Sequence, residues 1–419
     1  MKLHGNLFRE IVADDNILNA HKHAKKGKGW YSEVRVVEQD VANGGHMLDD
    51  LKQSLILHTF HTSAYKMTQR KEGSKIRDLY KLPYYPDRIA QWAVIQVIEP
   101  YIIHHLISDT FSAIPNRGIH LGLGRVQKAM WTDVPGCQYC LKMDAKHFYQ
   151  SINHEILKDK FRRLFKDPDL LWFIDEVIDS ISTATPDDVE RLNHLEGLDE
   201  EVLTRYIRGR NETPEERKAR YEQSGIGLPI GNYFSQYGGN FYFSEFDHFM
   251  KEVLRIRYYF RYMDDIVIFA ATKAELHRLC RIIDHYFQTH MRITLKGNYQ
   301  IFPTYKRGVD YLGYRTFLDY TLLRKSTCLT YKRTMTRMKR KADAGKELSL
   351  TNFCAFHSYE GWLEACDSFR LYQKYGKPLE TAVSAYYAKN ILPKKKGMVK
   401  DDQSRNRPGD GSPGKAACG

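Results

Sequence analysis

The stretch 257–270, RYYFRYMDDIVIFA, is the feature that most constrains this chain. Aromatic and apolar residues alternate before two adjacent aspartates, Asp264 and Asp265, and a further apolar run follows them. This pattern predicts two buried strands joined by a tight turn, which places both carboxylates at the tip of a β-hairpin. Adjacent carboxylates raise each other's pKa, so both stay charged near a buried scaffold only beside a cation. A solvated acidic turn is the simpler alternative for such a pair taken alone.

A third carboxylate, Asp144, ends the apolar stretch 137–145, which also alternates like a strand. If this strand lies beside the hairpin, Asp144 and Asp264 face the same site. Carboxylate oxygens are the ligands that Mg²⁺ prefers, and Mg²⁺ usually takes one or two of them together with substrate phosphates. The three aspartates therefore predict a pair of Mg²⁺ ions, replaceable by Mn²⁺, that activates a 3′-hydroxyl and stabilises a leaving pyrophosphate.

Two aromatic residues, Phe148 and Tyr149, follow Asp144 closely. A rigid aromatic side chain there can lie under the sugar of an incoming nucleotide and exclude a 2′-hydroxyl. We expect Tyr149 to act as this gate and Phe148 to pack in the core, with two core aromatics as the alternative. The stretch GLPIGNYFSQ, 227–236, predicts a loop that opens a helix and offers backbone N–H groups to a phosphate or a base. A plain helix-entry turn explains that stretch equally well.

The stretch 69–88, QRKEGSKIRDLYKLPYYPDR, predicts a basic hairpin with Gly73 and Ser74 at its turn. Its cations, which include Arg70 and Arg77, suit the grip of a triphosphate. A solvated basic turn is the alternative.

The charge balance favours a polyanionic partner. The chain has 419 residues with 64 Lys+Arg against 51 Asp+Glu, a net charge of +13, which suits nucleic acid better than a membrane surface. No stretch reaches the roughly 18 apolar residues of a membrane span, and MKLHGNLFRE contains no apolar leader, so we expect no membrane association or export. Seven cysteines favour a reducing compartment, and Cys137 and Cys140 predict packed thiols rather than zinc ligands.

Helical patterns surround these strands. We expect helices at 5–27, at 89–107 with a break near Pro100, at 151–165, at 232–253 as an amphipathic helix, and at 273–290, with a strand near 292–302. The charged stretch 186–224 predicts an exposed insertion with some helix. The segment 321–346 is basic, with helical spacing in its second half. The Pro-, Gly- and Ser-rich residues after 392 predict disorder.

In this order, these pieces resemble a reverse transcriptase. The YMDD turn, the strand end from Asp144 to Tyr149, the Gly-rich loop and YLGY at 311–314 match the palm motifs of that family. The resemblance covers roughly residues 5–375 and implies an α+β fold of the right-hand polymerase type. It implies an N-terminal helical extension at 1–45, fingers at 46–136, a palm with an antiparallel sheet at 137–320 that includes the insertion 186–224, a helical thumb at 321–392 and a disordered tail at 393–419.

Within that family the chain is most similar to the reverse transcriptases of diversity-generating retroelements, in the group II intron- and retron-like bacterial branch. Those enzymes carry an apolar residue before a glycine and then a Ser-Gln pair, where retroviral and group II intron enzymes have Gln-Gly and Ser-Pro. Here the positions are Ile230, Gly231, Ser235 and Gln236. The stretches GNLFREI, LLRKS and HSYEGWLEAC also fit that branch.

The resemblance implies roles for individual residues. Asp144, Asp264 and Asp265 would be the catalytic metal ligands. The residues expected to contact the nucleotide are Arg70, Arg77, Tyr149, Ile230, Gly231, Gln236 and Lys296. Of these, Lys296 is the candidate proton donor to pyrophosphate, with a solvated strand-end lysine as the alternative. The residues expected to contact nucleic acid through phosphates and 2′-hydroxyls are Arg324, Lys325, Arg337, Lys339, Arg340 and Lys341.

The implied function is an RNA-directed DNA polymerase that makes cDNA, error-prone because Ile230 only packs where a Gln would hydrogen-bond. The implied partners are template RNA, the cDNA/RNA duplex and dNTPs, with a structured non-coding RNA and a small helical accessory protein as further candidates. The expected location is the cytoplasm of a bacterial cell or phage-infected host. An antiviral defence-associated reverse transcriptase with a dedicated non-coding RNA is the alternative. An RNA-binding scaffold with a dead palm is disfavoured, because it has no need of three clustered carboxylates.

Overall fold

The computed structural model describes residues 3–72, 75–195, 197–205 and 212–392. The chain forms two compact units, Met1–Arg307 and a second that begins at Gly308. The turn predicted at Gly73 and Ser74 and the disorder predicted after 392 lie outside the described residues.

The first unit combines helices with two small sheets. Its helices are α1 (Phe8–Ile11), α2 (Asp14–Ala24), α3 (Ser32–Ala42), α4 (Met47–Ile56), α5 (Ile89–His104), α6 (Ile119–Thr132), α7 (Phe148–Ser151), α8 (His154–Leu164), α9 (Pro168–Asp179), α10 (Pro186–Asn193), α11 (Glu200–Arg205), α12 (Pro214–Gln223), α13 (Tyr233–His248) and α14 (Lys273–Met291). A short π-helical turn lies at Phe249–Val253, and the segment Tyr84–Arg88, in which Tyr85 is extended, leads into α5. The strands are β1 (Lys66–Glu72), β2 (Lys75–Lys81), β3 (Tyr139–Asp144), β4 (Tyr259–Tyr262), β5 (Asp265–Ala270) and β6 (Gln300–Pro303).

The sheets follow the predicted hairpins. Strands β1 and β2 pair as an antiparallel hairpin, and the other four form an antiparallel sheet in the order β4-β5-β3-β6. In the inner strand β5 every residue after Asp265 is buried, as expected for an apolar run between two other strands. The predicted hairpin at 257–270 is confirmed, and so is the placement of the strand that ends at Asp144 beside it.

Helix α13 lies at the centre of the first unit and is buried on nearly every side. The prediction of an amphipathic helix over 232–253 is therefore wrong. Aromatic residues occur around the whole circumference because the helix packs against other elements, including α5 and α8. Gly239 permits one close approach, since a Cβ there would lie 3.3 Å from the Phe148 ring.

Two further helix predictions need correction. The single helix expected over 5–27 is split into α1 and α2. Ala13 is extended, and the Asn16 side chain binds the carbonyl of Ile11 at 2.8 Å, which ends the first helix. Conversely, α5 continues through Pro100. Pro100 is exposed, so water can reach the carbonyl that loses its N–H partner there.

The segment 186–224 is only partly the exposed insertion that its charge predicts. Its helices α10, α11 and α12 bury Leu192, Val202 and Tyr221. The Tyr221 hydroxyl donates to Asp159 on α8, and Arg220 forms an ion pair with the same carboxylate at 3.2 Å. Polar residues here pair with one another, so high charge does not prevent packing.

Two predictions drawn from composition can be compared with the described residues. Cys137 and Cys140 are buried free thiols, and burial raises the pKa of Cys137 to about 12, in agreement with packed thiols. Within the described ranges, no helix has the length and apolar character needed to cross a bilayer.

The second unit begins with three short antiparallel strands, β7 (Val309–Tyr311), β8 (Tyr314–Thr316) and β9 (Thr321–Leu323). Its helices are α15 (Lys325–Asp343), α16 (Leu350–Glu364), α17 (Phe369–Tyr375) and α18 (Glu380–Asn390), with a 3₁₀ turn at Lys377–Leu379. The unit starts at Gly308, ahead of the thumb boundary expected at 321, because β7 and β8 belong to the same small sheet as β9.

Candidate active site

The candidate site lies where β3 ends and β5 begins. These strands are antiparallel, and Asp144 and Asp265 are direct partners in their register. Asp264 immediately precedes β5, in the turn from β4. The structure thus brings Asp144 next to the adjacent pair of aspartates, although the two parts are more than a hundred residues apart in the chain.

The turn that carries Asp264 has a strained backbone. Tyr262 pairs with Asp265, which leaves Met263 and Asp264 as the two residues of the loop. Met263 has φ 52°, a left-handed conformation that costs a residue with a side chain about 1–2 kcal/mol. A hydrogen bond from β4 stabilises this conformation, since Arg261 Nη1 donates to the Met263 carbonyl at 3.0 Å.

Burial perturbs both carboxyls of the turn. It raises the pKa of Asp264, and the charge of Asp144 adds to the shift, whereas Arg77 and Lys296 oppose it. It also raises the pKa of Asp265, to about 6, against the opposing charge of Lys142. Asp265 Oδ1 is buried and has no hydrogen-bond partner. The turn therefore holds negative charge in surroundings that compensate it only in part.

Two lysines contact these carboxylates. Lys296 Nζ lies 2.9 Å from Asp144 Oδ2, so the structure places this predicted residue at the site. Lys142 Nζ lies 3.5 Å from Asp265 Oδ2, and the sequence analysis missed it. The signal was present in the alternation of β3, because residues 142 and 144 share one face of the strand.

The two aromatic residues after Asp144 differ in their surroundings. Phe148 is 3% exposed and packs on Phe243 at 4.8 Å between ring centroids. The Tyr149 hydroxyl donates to Met263 Sδ at 3.7 Å, and burial together with the charge of Asp264 raises the pKa of this phenol. Tyr149 therefore lies at the turn that carries Asp264, whereas Phe148 belongs to the core.

The Gly-rich loop joins this site to the basic hairpin. The Leu228 N–H donates to the Tyr149 carbonyl at 2.8 Å, and the Tyr80 N–H of β2 donates to the Ile230 carbonyl at 2.9 Å. Gly231 has φ 114°, and a Cβ there would lie 3.3 Å from the Tyr80 carbonyl, so the close approach requires glycine. Gln236 is exposed on α13 and lines a separate cavity with Gly231.

The hairpin cations occupy exposed positions. Arg70 and Arg77 are cross-strand partners in β1 and β2. Arg77 acts on Asp264 and Tyr149 through its charge. The structure therefore associates Arg77 with the site, and it places Arg70 opposite Arg77 in the hairpin.

A second feature that sequence analysis missed ties α10 to the segment after Asp144. Arg191 donates to Ser151 Oγ at 3.0 Å and to Asp188 at 2.7 Å, and it reaches Thr294 at 2.5 Å. His147 Nδ1 lies 2.8 Å from the same Asp188, which is 1% exposed. Burial would raise the pKa of Asp188, but its hydrogen bonds from Arg191 and His147 outweigh that effect and lower it.

The predicted nucleic-acid contacts belong to the second unit. Arg324 forms an ion pair with Asp310, its Nε lying 2.6 Å from Oδ1. The rest lie on α15, with Lys325 at its start and four cations in its last turns: Arg337, Lys339 and Arg340, which are exposed, and Lys341, which is half-buried with its Nζ 3.5 Å from Asn352 Oδ1.

The aspartates do not form a complete metal cage by themselves. In the part of the chain that the structure describes, no three His, Cys, Asp or Glu side chains are grouped closely enough to hold an ion. The metal site at Asp144, Asp264 and Asp265 therefore stays a prediction. Like charges keep carboxylates apart, and Lys296 and Lys142 each contact one of them.

Comparison with protein families matches residues 69–316 to the family described as reverse transcriptase (RNA-dependent DNA polymerase). This is more than half of the chain, so the chain belongs to the reverse transcriptase family, a class of nucleotidyltransferases. Membership and the mixture of helices with antiparallel sheets together confirm the α+β polymerase fold class.

No curated protein matches this chain. Similar solved structures include apo telomerase from Candida tropicalis, with a TM-score of 0.40 and 11% identity over 65% of this chain and 50% of that one. They also include telomerase from Candida albicans in complex with a TWJ fragment of telomeric RNA, with a TM-score of 0.41 and 10% identity over 78% of this chain and 58% of that one. This chain thus spans less than two thirds of either telomerase chain.

Proposed function

We propose that this protein is an RNA-directed DNA polymerase that copies template RNA into cDNA by two-metal-ion nucleotidyl transfer. The observation that carries the proposal is the register pairing of Asp144 with Asp265, directly after Asp264 in the turn. Family membership over residues 69–316 supports the same activity. Template RNA, the cDNA/RNA duplex and dNTPs follow as its partners.

The donor set fits Mg²⁺, with Mn²⁺ as a substitute. Asp144, Asp264 and Asp265 offer hard oxygen ligands, and Asp265 Oδ1 is buried without a hydrogen-bond partner. Because Mg²⁺ takes few protein carboxylates, substrate phosphates would complete its coordination. When bound, the ions would supply Lewis-acid activation of the primer hydroxyl and charge neutralisation at the leaving pyrophosphate.

The chain's own residues would position the substrate around this centre. The Tyr149 ring, whose hydroxyl contacts Met263 of the turn, would exclude a 2′-hydroxyl. Lys296, held 2.9 Å from Asp144, would donate a proton to pyrophosphate. Arg77 and its strand neighbour Arg70 would hold the triphosphate.

Primer extension on an RNA template with dNTPs tests this proposal. We expect incorporation by the wild type with Mg²⁺ or Mn²⁺ and none after chelation. The double variant Asp264→Asn/Asp265→Asn should lose about a thousandfold or more in rate, because it removes preorganised charge at the reacting centre. Asp319→Asn removes an exposed carboxylate of the second unit and is the matched control. If the double variant were as active as the wild type, the catalytic role of Asp264 and Asp265 would be rejected.

We propose further that the enzyme is error-prone and belongs to a diversity-generating retroelement, with a small accessory protein as a partner. The support is Ile230, which stands where most reverse transcriptases have Gln. Its backbone carbonyl binds Tyr80 of β2, but its side chain cannot hydrogen-bond to a base or sugar. An enzyme can reject a mismatched nucleotide because the mismatch leaves a polar side chain of the site without a hydrogen bond. When an apolar side chain replaces that polar one, the mismatch no longer carries this energetic penalty.

Sequencing of cDNA copied from a defined RNA tests the retroelement assignment. We expect a high error rate in the wild type, most pronounced opposite one template base, and a lower rate in Ile230→Gln. A low, even error rate that the substitution leaves unaltered would favour the other candidate, a defence-associated reverse transcriptase with a dedicated non-coding RNA. The stretch 186–224 is longer than the family's palm motifs lead us to expect at this place, and it packs through Leu192, Val202 and Tyr221, which supports that second candidate.

A further inference from the structure

A cavity of about 210 Å³ lies at the N-terminus of α13, beyond the Gly-rich loop. It is lined by two cations, Lys28 and Arg88, together with Asn232 and the aromatic pair Trp92 and Tyr233. Its walls come from the segment after α2, from the start of α5 and from the start of α13. None of the residues that line it carries a carboxylate.

The two cations are not neutralised by acidic partners. The Lys28 ammonium makes one long hydrogen bond, to the Ala24 carbonyl at 3.4 Å. Across the described ranges, neither Lys28 nor Arg88 forms an ion pair with a carboxylate. Burial lowers the pKa of Lys28, and the charge of Arg88 lowers it further. Two like charges therefore share a partly buried cavity, which favours an anion between them.

Asn232 provides an independent indication of a ligand. It is 5% exposed and occupies the N-cap position of α13, yet its side chain makes no capping hydrogen bond. Its Nδ2 is buried and has no hydrogen-bond partner. A buried amide donor without an acceptor is costly, typically about 1–3 kcal/mol, unless a ligand supplies the acceptor. The first N–H groups of α13 also lack partners within the helix, and anions bind at such ends.

The aromatic wall suits a nucleotide rather than a simple anion. The Trp92 and Tyr233 rings stack at 4.0 Å with an interplanar angle of 16°. Aromatic faces beside a basic groove are the usual surface on which single-stranded bases stack. The loop that ends at Asn232 also carries Leu228, whose N–H contacts the Tyr149 carbonyl, so one short segment connects the cavity with the catalytic turn.

We propose that this cavity binds a backbone phosphate of single-stranded RNA, with Lys28 and Arg88 as its cations and the Asn232 amide as a neutral donor. The assignment to the RNA rests on the proposed polymerase function, whereas the phosphate chemistry rests on the cavity alone. The Gly-rich loop connects this cavity with the segment that carries Tyr149. The cavity thereby fixes the position of the RNA independently of base sequence, as phosphate contacts do.

The test measures RNA affinity without turnover. Full-length protein carrying Asp264→Asn/Asp265→Asn is titrated, by fluorescence anisotropy, into a labelled single-stranded RNA of about twelve nucleotides at 50–200 mM salt. Lys28→Gln/Arg88→Gln is added to this background. In a plot of the logarithm of the RNA affinity against the logarithm of the salt concentration, the loss of one phosphate contact should make the slope shallower by about 0.7. A fourfold rise in salt should then reduce the affinity of the parent by about 2.6-fold more than that of the variant.

A matched control removes the same charge nearby. Lys22→Gln/Lys26→Gln alters two exposed lysines of the same N-terminal segment and should leave the slope at the parent value. Equal changes in both variants, or no change in the cavity variant, would overturn the proposal. Thermal unfolding checks that the variants are folded. If the Arg88 substitution prevents folding, Asn232→Asp replaces it as the test, because the negative charge that it places in the cavity should weaken RNA binding.

Two further outcomes separate the sources of phosphate and the two proposals. If the cavity variant keeps its RNA affinity but loses affinity for free dNTP, the cavity holds nucleotide and the RNA assignment is wrong. If wild-type protein makes no cDNA while the cavity variant shows the predicted loss of slope, the polymerase proposal fails and the phosphate site stands.

Discussion

Arg261 and Asp247 form a bidentate ion pair in which neither side chain is exposed. The Arg261 Nε and Nη2 atoms lie 2.8 and 2.6 Å from the two carboxylate oxygens, and the Tyr259 hydroxyl donates to the same carboxylate at 2.5 Å. The remaining nitrogen, Nη1, donates to the Met263 carbonyl at 3.0 Å. A buried charge pair on α13 and β4 therefore supports the strained turn that carries Asp264.

Arg261→Met should destabilise the protein by about 3–5 kcal/mol, because it leaves Asp247 buried without its partner. Denaturant unfolding measures this. The double variant Arg261→Met/Asp247→Leu should recover most of that stability, since an apolar pair of similar size avoids the unpaired charge. Primer extension by the double variant should nevertheless stay low, because the Met263 carbonyl has lost its donor. Full activity in a stable double variant would show that the turn needs no support from Arg261.

Tyr149→Ala should increase ribonucleotide incorporation relative to deoxynucleotide, on the order of tenfold, because a steric barrier at the sugar is removed. Tyr149→Phe keeps the ring and loses only the contact of its hydroxyl with Met263 Sδ, so it should retain wild-type discrimination. Competition between labelled rNTP and dNTP in primer extension gives the ratio. Unchanged discrimination in folded Tyr149→Ala would place the gate elsewhere, with Phe148 the next residue to test.

Arg191→Met should lower the free energy of unfolding by about 1–3 kcal/mol, because hydrogen bonds to the buried Asp188 and to Ser151 are lost. It should also slow nucleotide incorporation, since the segment that follows Asp144 loses its tie to α10. Asp187→Asn is the control, because Asp187 is the exposed neighbour of Asp188. Stability loss without any change in rate would restrict the α10 contacts to a structural role.

Neutralising the basic face in the last turns of α15 should weaken binding to any RNA–DNA duplex, because these cations can pair with backbone phosphates. The variant changes four residues to Gln: Arg337, Lys339, Arg340 and Lys341. Each lost phosphate contact should flatten the log–log salt slope by about 0.7–0.9. Lys339 also pairs with Asp343 at 2.8 Å, an exposed pair that contributes little to stability. A salt slope equal to that of the wild type would show that this face does not contact the duplex.

The local pattern around the turn with Asp264 and Asp265 was sufficient to predict its structure. The apolar runs on either side of Asp264 and Asp265 have the alternation of strands, and a two-residue turn is the short connection that such strands allow. The end of β3 at Asp144 and the hairpin of β1 and β2 were predicted for the same reason. These elements depend on side-chain period and turn chemistry, which are properties of neighbouring residues.

Side-chain partners across the fold were decided by the tertiary structure. Nothing local to Arg261 identifies Asp247 as its partner, and nothing in the charged stretch 186–224 indicates that Arg191 reaches Ser151. The amphipathic pattern expected for α13 was likewise wrong, because burial on all sides comes from helices distant in sequence. Composition predicted a charged, exposed insertion, but mutual pairing of its charges allows it to pack.

The sequence by itself determined the class of protein and the aspartates that define the candidate site, because those depend on residue types at short spacing. The tertiary structure alone decided how burial perturbs Asp264 and Asp265, which lysines contact the carboxylates, and that Lys28, Arg88 and Asn232 line one cavity. The physical reason is that electrostatic and hydrogen-bond energies depend on distance in space and on exclusion of water, and neither is a function of position along the chain.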